Sequence, residues 1–163
     1  MKHTSLHIPL MIFQDFTTLD PSDAKLLESA REATGHAYAP YSKFRVGAAV
    51  QLMNGQIISG SNQENASFPA GICAERVVLS AVSATFPGIA VISLALTYIN
   101  ESATSNRPIS PCGICRQTLA EYEQRFNHPI RLILSGISGE IFIINRATDL
   151  LPFAFSSQEL SMH

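Results

Sequence analysis

A nearly continuous apolar stretch in the middle of the chain decides the fold, and it reads Ile89-Ala90-Val91-Ile92-Ser93-Leu94-Ala95-Leu96-Thr97-Tyr98. Apolar and polar residues do not alternate along it, which is typical of a strand buried on both faces. The stretch is too short for the ~20 apolar residues of a membrane crossing, and two polar residues interrupt it. We therefore expect a central strand within a sheet that helices cover.

Further strands and helices are predicted on both sides of this strand. Asp20-Pro21 is typical of a helix start, and the helix is predicted to end near Ala37. A hairpin is predicted over 44–60, with Asn54-Gly55 in a type I′ turn. Helices over 73–85 and 112–126, strands over 130–135 and 140–145 and a short helix near Gln158 complete the order. It predicts an α/β fold class: a single-domain three-layer α-β-α sandwich with a central mixed β-sheet.

Length and composition restrict the class of protein. The chain has 163 residues, of which 46% are hydrophobic and 15% charged, and its net charge is −2. This is the size of one ordinary domain and is unlike a disordered tail or a disulfide-rich secreted module. A weakly negative chain has no electrostatic preference for a polyanion such as DNA or RNA. We predict an irregular N-terminal extension over 1–19 and one domain over 20–163.

The cysteine count and the absence of an export signal predict a cytoplasmic protein. The apolar run of 8–13 contains a proline and is shorter than the core of a secretory signal. Three cysteines cannot all pair within one chain, so the count favours thiols in a reducing compartment.

The three cysteines stand at predicted helix starts. Cys112 and Cys115 are one helical turn apart, while Cys73 begins an earlier helix. Partial positive charge at a helix N-terminus favours the thiolate, and three protein ligands would leave a fourth tetrahedral position of zinc for water. From spacing alone, a catalytic zinc, a structural zinc and no metal remain open. Glu75 follows Cys73 by two residues, and helical spacing does not decide between a reactive and a solvated carboxylate.

Several motifs in order resemble the small homotetrameric cytidine deaminases. The zinc-deaminase elements are Cys73-Ala74-Glu75 and Pro111-Cys112-Gly113-Ile114-Cys115. The surrounding matches cover about residues 22–155 and include Tyr41-Ser42-Lys43-Phe44-Arg45-Val46-Gly47-Ala48-Ala49, Asn62-Gln63-Glu64-Asn65-Ala66-Ser67 and Leu150-Leu151-Pro152.

The resemblance implies an assignment of the catalytic residues. Cys73, Cys112 and Cys115 would bind one zinc ion per chain, and Glu75 would be the general acid–base group. Arg76 would offset the negative charge of the three thiolates, and Arg116 would help in the same way. Without the resemblance, Arg76 reads as an ordinary surface arginine.

The resemblance also implies substrate contacts and an assembly. Asn62 and Glu64 would hydrogen-bond the ribose 3′-hydroxyl, while Phe44 would pack on the pyrimidine and Ala74 would also contact the substrate. Phe155 would reach the site of a neighbouring subunit, giving a homotetramer with composite sites. Phe68, Gln63 and Phe153 depart from the residues usual in the family, and these departures concern the sugar contacts and the C-terminal packing.

Three classes of function compete. A deaminase acting on a base within RNA or DNA should have a basic groove, yet no cluster of lysines and arginines appears. A deaminase of nucleoside-like antibiotics is the other enzymatic alternative, and a non-catalytic zinc module would not need Glu75. We predict zinc-dependent deamination of free cytidine and 2′-deoxycytidine to uridine and 2′-deoxyuridine in pyrimidine salvage, without a nucleic-acid or membrane partner.

Overall fold

In the computed structural model, which describes residues 1–160, six strands form one mixed β-sheet. The strands are β1 (Met11–Phe13), β2 (Phe44–Leu52), β3 (Ile57–Ser61), β4 (Val91–Asn100), β5 (Arg131–Ser135) and β6 (Ile141–Ile144). The helices are α1 (Pro21–Ala33), α2 (Ala74–Thr85), α3 (Gly113–Phe126) and α4 (Ser157–Leu160). The short final helix predicted near Gln158 is thereby confirmed as α4.

The sheet has the order β1-β6-β5-β4-β2-β3. Strands β4 and β5 are parallel, and every other neighbouring pair is antiparallel. The stretch that decides the fold becomes β4, an inner strand whose residues from Ser93 to Tyr98 are all buried. Because β4 and β2 run antiparallel, the end of β4 at Asn100 lies opposite the start of β2 at Phe44.

Helices cover both faces of the sheet and confirm the three-layer α/β sandwich. On one face, Leu26, Leu27 and Ala30 of α1 pack into a cluster with Ala95 and Ile133. On the other face, a second cluster joins Val78 and Leu79 of α2 and Leu119 of α3 to Leu94 and Leu96 of β4. Successive strand residues point to opposite faces, so one apolar strand supplies both clusters.

Close helix packing depends on a glycine in β2. A Cβ atom on Gly47 would lie 2.0 Å from the carbonyl oxygen of Ala30 in α1. A larger residue at position 47 would therefore push α1 away from the sheet.

Helix α1 ends four residues before the predicted end near Ala37, because the chain tightens into a 3-10 turn over Thr34–His36.

The hairpin between β2 and β3 has a different turn from the one predicted. A type I′ turn requires positive φ at both Asn54 and Gly55. Among the non-glycine residues described, only Lys43 and Asn127 have positive φ, while Gly55 has φ +85°. The amide of Gly55 donates to the carbonyl of Leu52 and the amide of Leu52 donates to Gln56, each at 2.9 Å. The connection is thus a three-residue loop with glycine in the left-handed position.

Part of the N-terminal segment is ordered rather than irregular, so the sequence expectation was wrong there. Met11–Phe13 pairs with Ile141–Ile143 as an edge strand, and Phe16–Thr18 forms a 3-10 turn. Phe13, Phe16 and Leu19 pack against the cluster beneath α1. A strand of three residues leaves almost no periodic signal, and the partner β6 that orders it lies far along the chain. Residues 161–163 of the predicted domain lie outside the described residues.

Within residues 1–160, none of the helices has the length and apolarity that crossing a membrane requires.

Candidate active site

A cavity of about 880 Å³ opens where β4 ends and β2 begins. The loop over 62–73 leads from β3 into α2, and the loop over 101–112 leads from the end of β4 into α3. Both helices therefore begin beside the same edge of the sheet. The cavity lies at this edge, as ligand sites in α/β sheets commonly do.

The three cysteines form a cluster beside this cavity. Cys73 is the N-cap residue of α2, Cys112 is the N-cap residue of α3, and Cys115 lies buried in the first turn of α3. The Sγ atoms of Cys73 and Cys112 are 3.8 Å apart, those of Cys112 and Cys115 are 3.5 Å apart, and all three lie within 4.8 Å of one another. Zinc bound by thiolates at about 2.3 Å in a tetrahedron holds its sulfur atoms about 3.8 Å apart. The cluster is therefore suited to one zinc ion.

Helix ends and neighbouring charge favour thiolate in this cluster. A hydrogen bond from the Cys115 thiol, together with the nearby Arg76, lowers the pKa of Cys73 to about 5. The same hydrogen bond, together with the burial of Cys115, raises the pKa of the Cys115 thiol. Cys115 therefore keeps the proton of this hydrogen bond. Both thiols lie at helix N-termini, where the helix dipole adds positive potential. A cation at this position would replace the shared proton.

Glu75 lies in the first turn of α2 and is only 4% exposed. Burial raises the pKa of its carboxyl group, and the negative charge of Cys73 adds to the rise. Cys73 has extended backbone angles because it caps the helix, so the helical angle between residues two apart does not apply to this pair. Both side chains therefore reach the cavity, which Cys73 and Glu75 line together.

Arg76 lies next to the cysteine cluster. Burial alone would lower the pKa of its guanidinium, but Cys73 and Cys115 raise it. Its Nη2 lies 3.5 Å from the carbonyl of Gly71, and its buried Nε has no hydrogen-bond partner among the described residues. A guanidinium that interacts with Cys73 and Cys115 fits a cluster that carries net negative charge.

Arg116 follows Cys115 and donates to two backbone carbonyls. Its Nε donates to the carbonyl of Pro111 at 2.8 Å, and its Nη1 donates to the carbonyl of Leu150 at 3.2 Å. The guanidinium thus joins the residue before Cys112 to the C-terminal segment. These contacts make a structural link, and the part of Arg116 in offsetting the thiolate charge stays a prediction.

Asn62 and Glu64 also line the cavity. The side chain of Asn62 accepts from the amide of Val46 at 2.7 Å and donates to the carbonyl of Phe44 at 2.9 Å. The Glu64 carboxylate accepts from the amides of Tyr41 and Ser42 at 2.9 and 3.3 Å. Both side chains are therefore held against the segment over 41–46.

Two further residues implied by the resemblance line the same cavity, and one does not. Phe44 lines it and stacks on Tyr98 with ring centroids 4.8 Å apart, while the buried Ala74 lies at the start of α2. Phe155 is 60% exposed, and its carbonyl accepts from Gln117 on the outer side of α3. A single subunit does not bring Phe155 into the cavity.

Two of the three departures from the family pattern, Phe68 and Gln63, line the cavity, and Phe153 lies on the surface. Phe68 is 76% exposed at the rim, in an edge-to-face contact with Tyr41, and Phe153 is 89% exposed. The Gln63 side chain donates to the hydroxyl of Ser61 at 3.1 Å and so crosses back to the end of β3.

Sequence reasoning missed several residues of the cavity wall. Tyr41 and Ser42 line it, as do Ile109 and Ser110 ahead of the second pair of cysteines. They are uncharged or apolar and have no metal-ligand spacing. Their one signal was their position within or beside the quoted motifs.

Comparison with known proteins agrees with this geometry. The family described as "Cytidine and deoxycytidylate deaminase zinc-binding region" matches residues 20–126. The cytidine deaminase of Halalkalibacterium halodurans is 36% identical over 137 residues, covering 83% of this chain and 96% of the relative. That of Sporosarcina psychrophila is 38% identical over 141 residues, covering 84% and 93%.

A solved structure shares the fold. The crystal structure of cytidine deaminase from Burkholderia pseudomallei superposes with a TM-score of 0.69 at 36% identity, covering 80% of this chain and 97% of the other. These matches cover most of this chain and most of each relative, and they include the segments that carry the cysteine cluster and line the cavity. The chain therefore belongs to the cytidine deaminases, a family of zinc-binding hydrolases that act on cytidine.

Proposed function

We propose that this chain deaminates the free nucleosides cytidine and 2′-deoxycytidine, releasing ammonia and forming uridine and 2′-deoxyuridine, as a step of pyrimidine salvage. One observation carries the proposal: the cysteine cluster and the buried Glu75 adjoin a cavity of about 880 Å³ that also contains Asn62 and Glu64. The chemistry of hydrolysis and the polar groups for a sugar thus meet in one cavity.

Cys73, Cys112 and Cys115 are the proposed zinc ligands. Their sulfur separations of 3.5 and 3.8 Å support this assignment, since they match the tetrahedral geometry of zinc thiolates. When bound, zinc supplies Lewis acidity that makes water a nucleophile near neutral pH. Three thiolates and Zn²⁺ carry a net charge of about −1 by this count of ligands. Arg76 is the proposed compensating charge.

Glu75 is the proposed proton carrier. The carboxylate takes a proton from the attacking water, and this proton goes to ring N3 as the oxygen bonds to C4. The second water proton passes through the same carboxyl group to the departing amine, which leaves as ammonia. Burial raises the pKa of this carboxyl group, which makes the carboxylate a stronger base toward the water proton.

The charge of the cavity favours a nucleoside over its phosphate. Glu64 and Glu75 are the charged residues that line it, and no lysine or arginine does so within residues 1–160. A 5′-phosphate would add about two negative charges beside these carboxylates without a basic partner.

Asn62 and Glu64 are the proposed ligands of the 3′-hydroxyl, while Phe44 and Ala74 are the proposed contacts of the pyrimidine.

Phe155 is proposed to complete the site of a neighbouring subunit in a homotetramer. Its exposure, together with that of Phe153, leaves large apolar groups on the surface near the C-terminus. Such groups are typical of a subunit interface. The three free cysteines support a reducing, cytoplasmic location. The family match begins at residue 20, which supports residues 1–19 as an extension that adds the edge strand β1 to the same sheet.

An absorbance assay on the zinc-loaded protein tests the substrate class. Cytidine, 2′-deoxycytidine, 2′-deoxycytidine 5′-monophosphate, cytosine and adenosine are compared at equal concentration. Conversion of the two cytosine nucleosides alone is the expected result. Preference for the monophosphate would contradict the charge argument, and conversion of neither nucleoside would overturn the proposed function.

A further inference from the structure

Four polar side chains of α3 hold the C-terminal segment over 147–157 against this helix. They are Arg116, Gln117, Glu123 and Gln124. Positions 116 and 123 are seven residues apart, as are positions 117 and 124, and seven residues make about two helical turns. The four side chains therefore form two rows along α3, the helix that begins at the proposed zinc ligands.

The first row carries the segment toward the start of α3. Near the end of the helix, Oε1 of Glu123 accepts from the amide of Ala147 at 2.8 Å. In the first turn, Nη1 of Arg116 donates to the carbonyl of Leu150 at 3.2 Å. The chain thus passes two helical turns along α3 between these contacts.

The second row carries the segment back. Nε2 of Gln117 donates to the carbonyl of Phe155 at 2.7 Å, and Nε2 of Gln124 donates to the hydroxyl of Ser157 at 2.9 Å. The segment therefore reverses direction between 150 and 155, beside the first turn of α3. Phe155 lies just after this reversal.

Phe155 is held in place by few contacts. Among the hydrogen bonds within residues 1–160, one joins the backbone of 152–155 to another element of the fold, and it is the bond from Gln117. The ring of Phe155 is 60% exposed, so packing within the subunit does little to fix it. The direction in which the ring leaves the surface thus depends on the side chain of Gln117.

We infer that Gln117 is a positioning residue that presents Phe155 to the active site of a neighbouring subunit. The inference rests on the proposed function, in which Phe155 completes a neighbouring site. Loss of the Gln117 donor leaves the contacts of the first row intact but frees the backbone at Phe155. The ring then adopts several positions, and fewer of them reach the neighbouring site.

Mixed tetramers test the inference, because they separate the subunit that supplies the ring from the subunit that carries the reacting site. One kind of subunit carries Phe155→Ala and keeps its own Glu75. The other kind carries Glu75→Gln, which inactivates its own site, and keeps Phe155. With the second kind in excess, the rate per Phe155→Ala subunit should rise by about threefold to tenfold, the range for one aromatic contact.

Gln117→Met is then added to the subunit that carries Glu75→Gln. Methionine has a length and helix propensity similar to those of glutamine but no donor. The recovered rate should fall by about threefold, as for the loss of one hydrogen bond. Because this subunit has an inactive site of its own, damage to its own cysteine cluster cannot lower the measured rate.

Thr118→Ala is the matched control in the same subunit. The hydroxyl of Thr118 donates to the carbonyl of Ile114 at 2.9 Å, within α3 itself. Its loss should leave the recovery complete. Zinc content and oligomeric state are measured on each preparation.

Fluorescence follows the ring position without any activity. The chain contains no tryptophan, so Phe155→Trp introduces one indole that can be excited selectively. Adding Gln117→Met should lower the anisotropy of its emission, because the side chain gains motion on the nanosecond timescale. Adding Thr118→Ala should leave the anisotropy unchanged.

Specific outcomes overturn the inference. Full recovery by the subunit that carries both Glu75→Gln and Gln117→Met would do so, as would an anisotropy that Gln117→Met does not lower. If the Glu75→Gln subunit gives no recovery, Phe155 does not act between subunits, and the inference fails together with that part of the proposal. Absence of deamination by the unsubstituted protein is a different result, and it overturns the proposed function.

Discussion

The two walls of the cavity are built in different ways. The cysteine wall consists of the starts of α2 and α3, where Cys115 is buried and Glu75 is 4% exposed. The sugar wall consists of Asn62 and Glu64, which are only half-buried and are held by hydrogen bonds to the segment over 41–46. Core packing fixes the first wall, whereas a few polar contacts between loops fix the second. We therefore expect substitutions on the cysteine wall to abolish metal binding or chemistry, and those on the sugar wall to weaken binding.

Loss of a metal ligand should have the largest effect. Cys115→Ala should reduce zinc from about one ion per chain to a small fraction and remove measurable deamination, because two thiolates bind zinc far more weakly than three. Metal analysis of carefully purified protein measures this. Val82→Ala is the matched control, since it removes a buried side chain from α2 away from the cluster and should lower stability while keeping zinc. Full zinc content in Cys115→Ala would contradict the proposed ligand set.

Glu75→Gln should separate chemistry from metal binding on the same wall. Glutamine has nearly the same shape but cannot carry the proton, so kcat should fall by roughly 10²–10⁴-fold while the zinc content stays unchanged. Single-turnover rates and metal analysis on the same preparation give both quantities. A rate close to that of the unsubstituted protein would exclude Glu75 from the proton transfer.

Asn62→Ala addresses the sugar wall. We expect KM for cytidine to rise by about tenfold with a smaller change in kcat, because one proposed sugar contact and both clamps on the start of β2 are lost. Asn54→Ala is the control: Asn54 accepts from the amide of Gln56 at 3.2 Å in the β2–β3 loop. A loss confined to kcat would show that the two walls do not divide binding and chemistry as described.

The smallest effect is expected for Phe155→Ala. If the ring completes a neighbouring site, kcat/KM should fall by about threefold to tenfold, the range for loss of one aromatic contact. Kinetics are measured together with oligomeric state, and Leu160→Ala in α4 is a control that removes another exposed apolar side chain of the C-terminal segment. Unchanged kinetics in an intact tetramer would remove Phe155 from the site, and a monomer with full activity would contradict composite sites.

Strong local patterns allowed most of the fold to be predicted. The apolar run that becomes β4, the cap at Asp20-Pro21 and the periodic helices gave the element order and the three layers. The errors lie where one residue or a distant partner decides. Asn54 lacks the positive φ of the predicted turn, and Met11–Phe13 becomes a strand because β6 offers it an edge.

The sequence by itself supplied three thiols at helix starts, with Cys112 and Cys115 one turn apart, because these are local properties of the chain. Only the fold brings Cys73 to this pair, across 39 positions of sequence. The sequence could not decide whether Glu75 shares a cavity with Cys73, and helix capping at Cys73 resolved that question.

The tertiary structure alone decided the sugar wall. Hydrogen bonds between residues about 20 positions apart orient the side chains of Asn62 and Glu64. No periodic pattern in the sequence indicates such contacts. The order of residues determines which functional groups the chain contains, but the tertiary structure determines how the side chains of Asn62 and Glu64 are oriented.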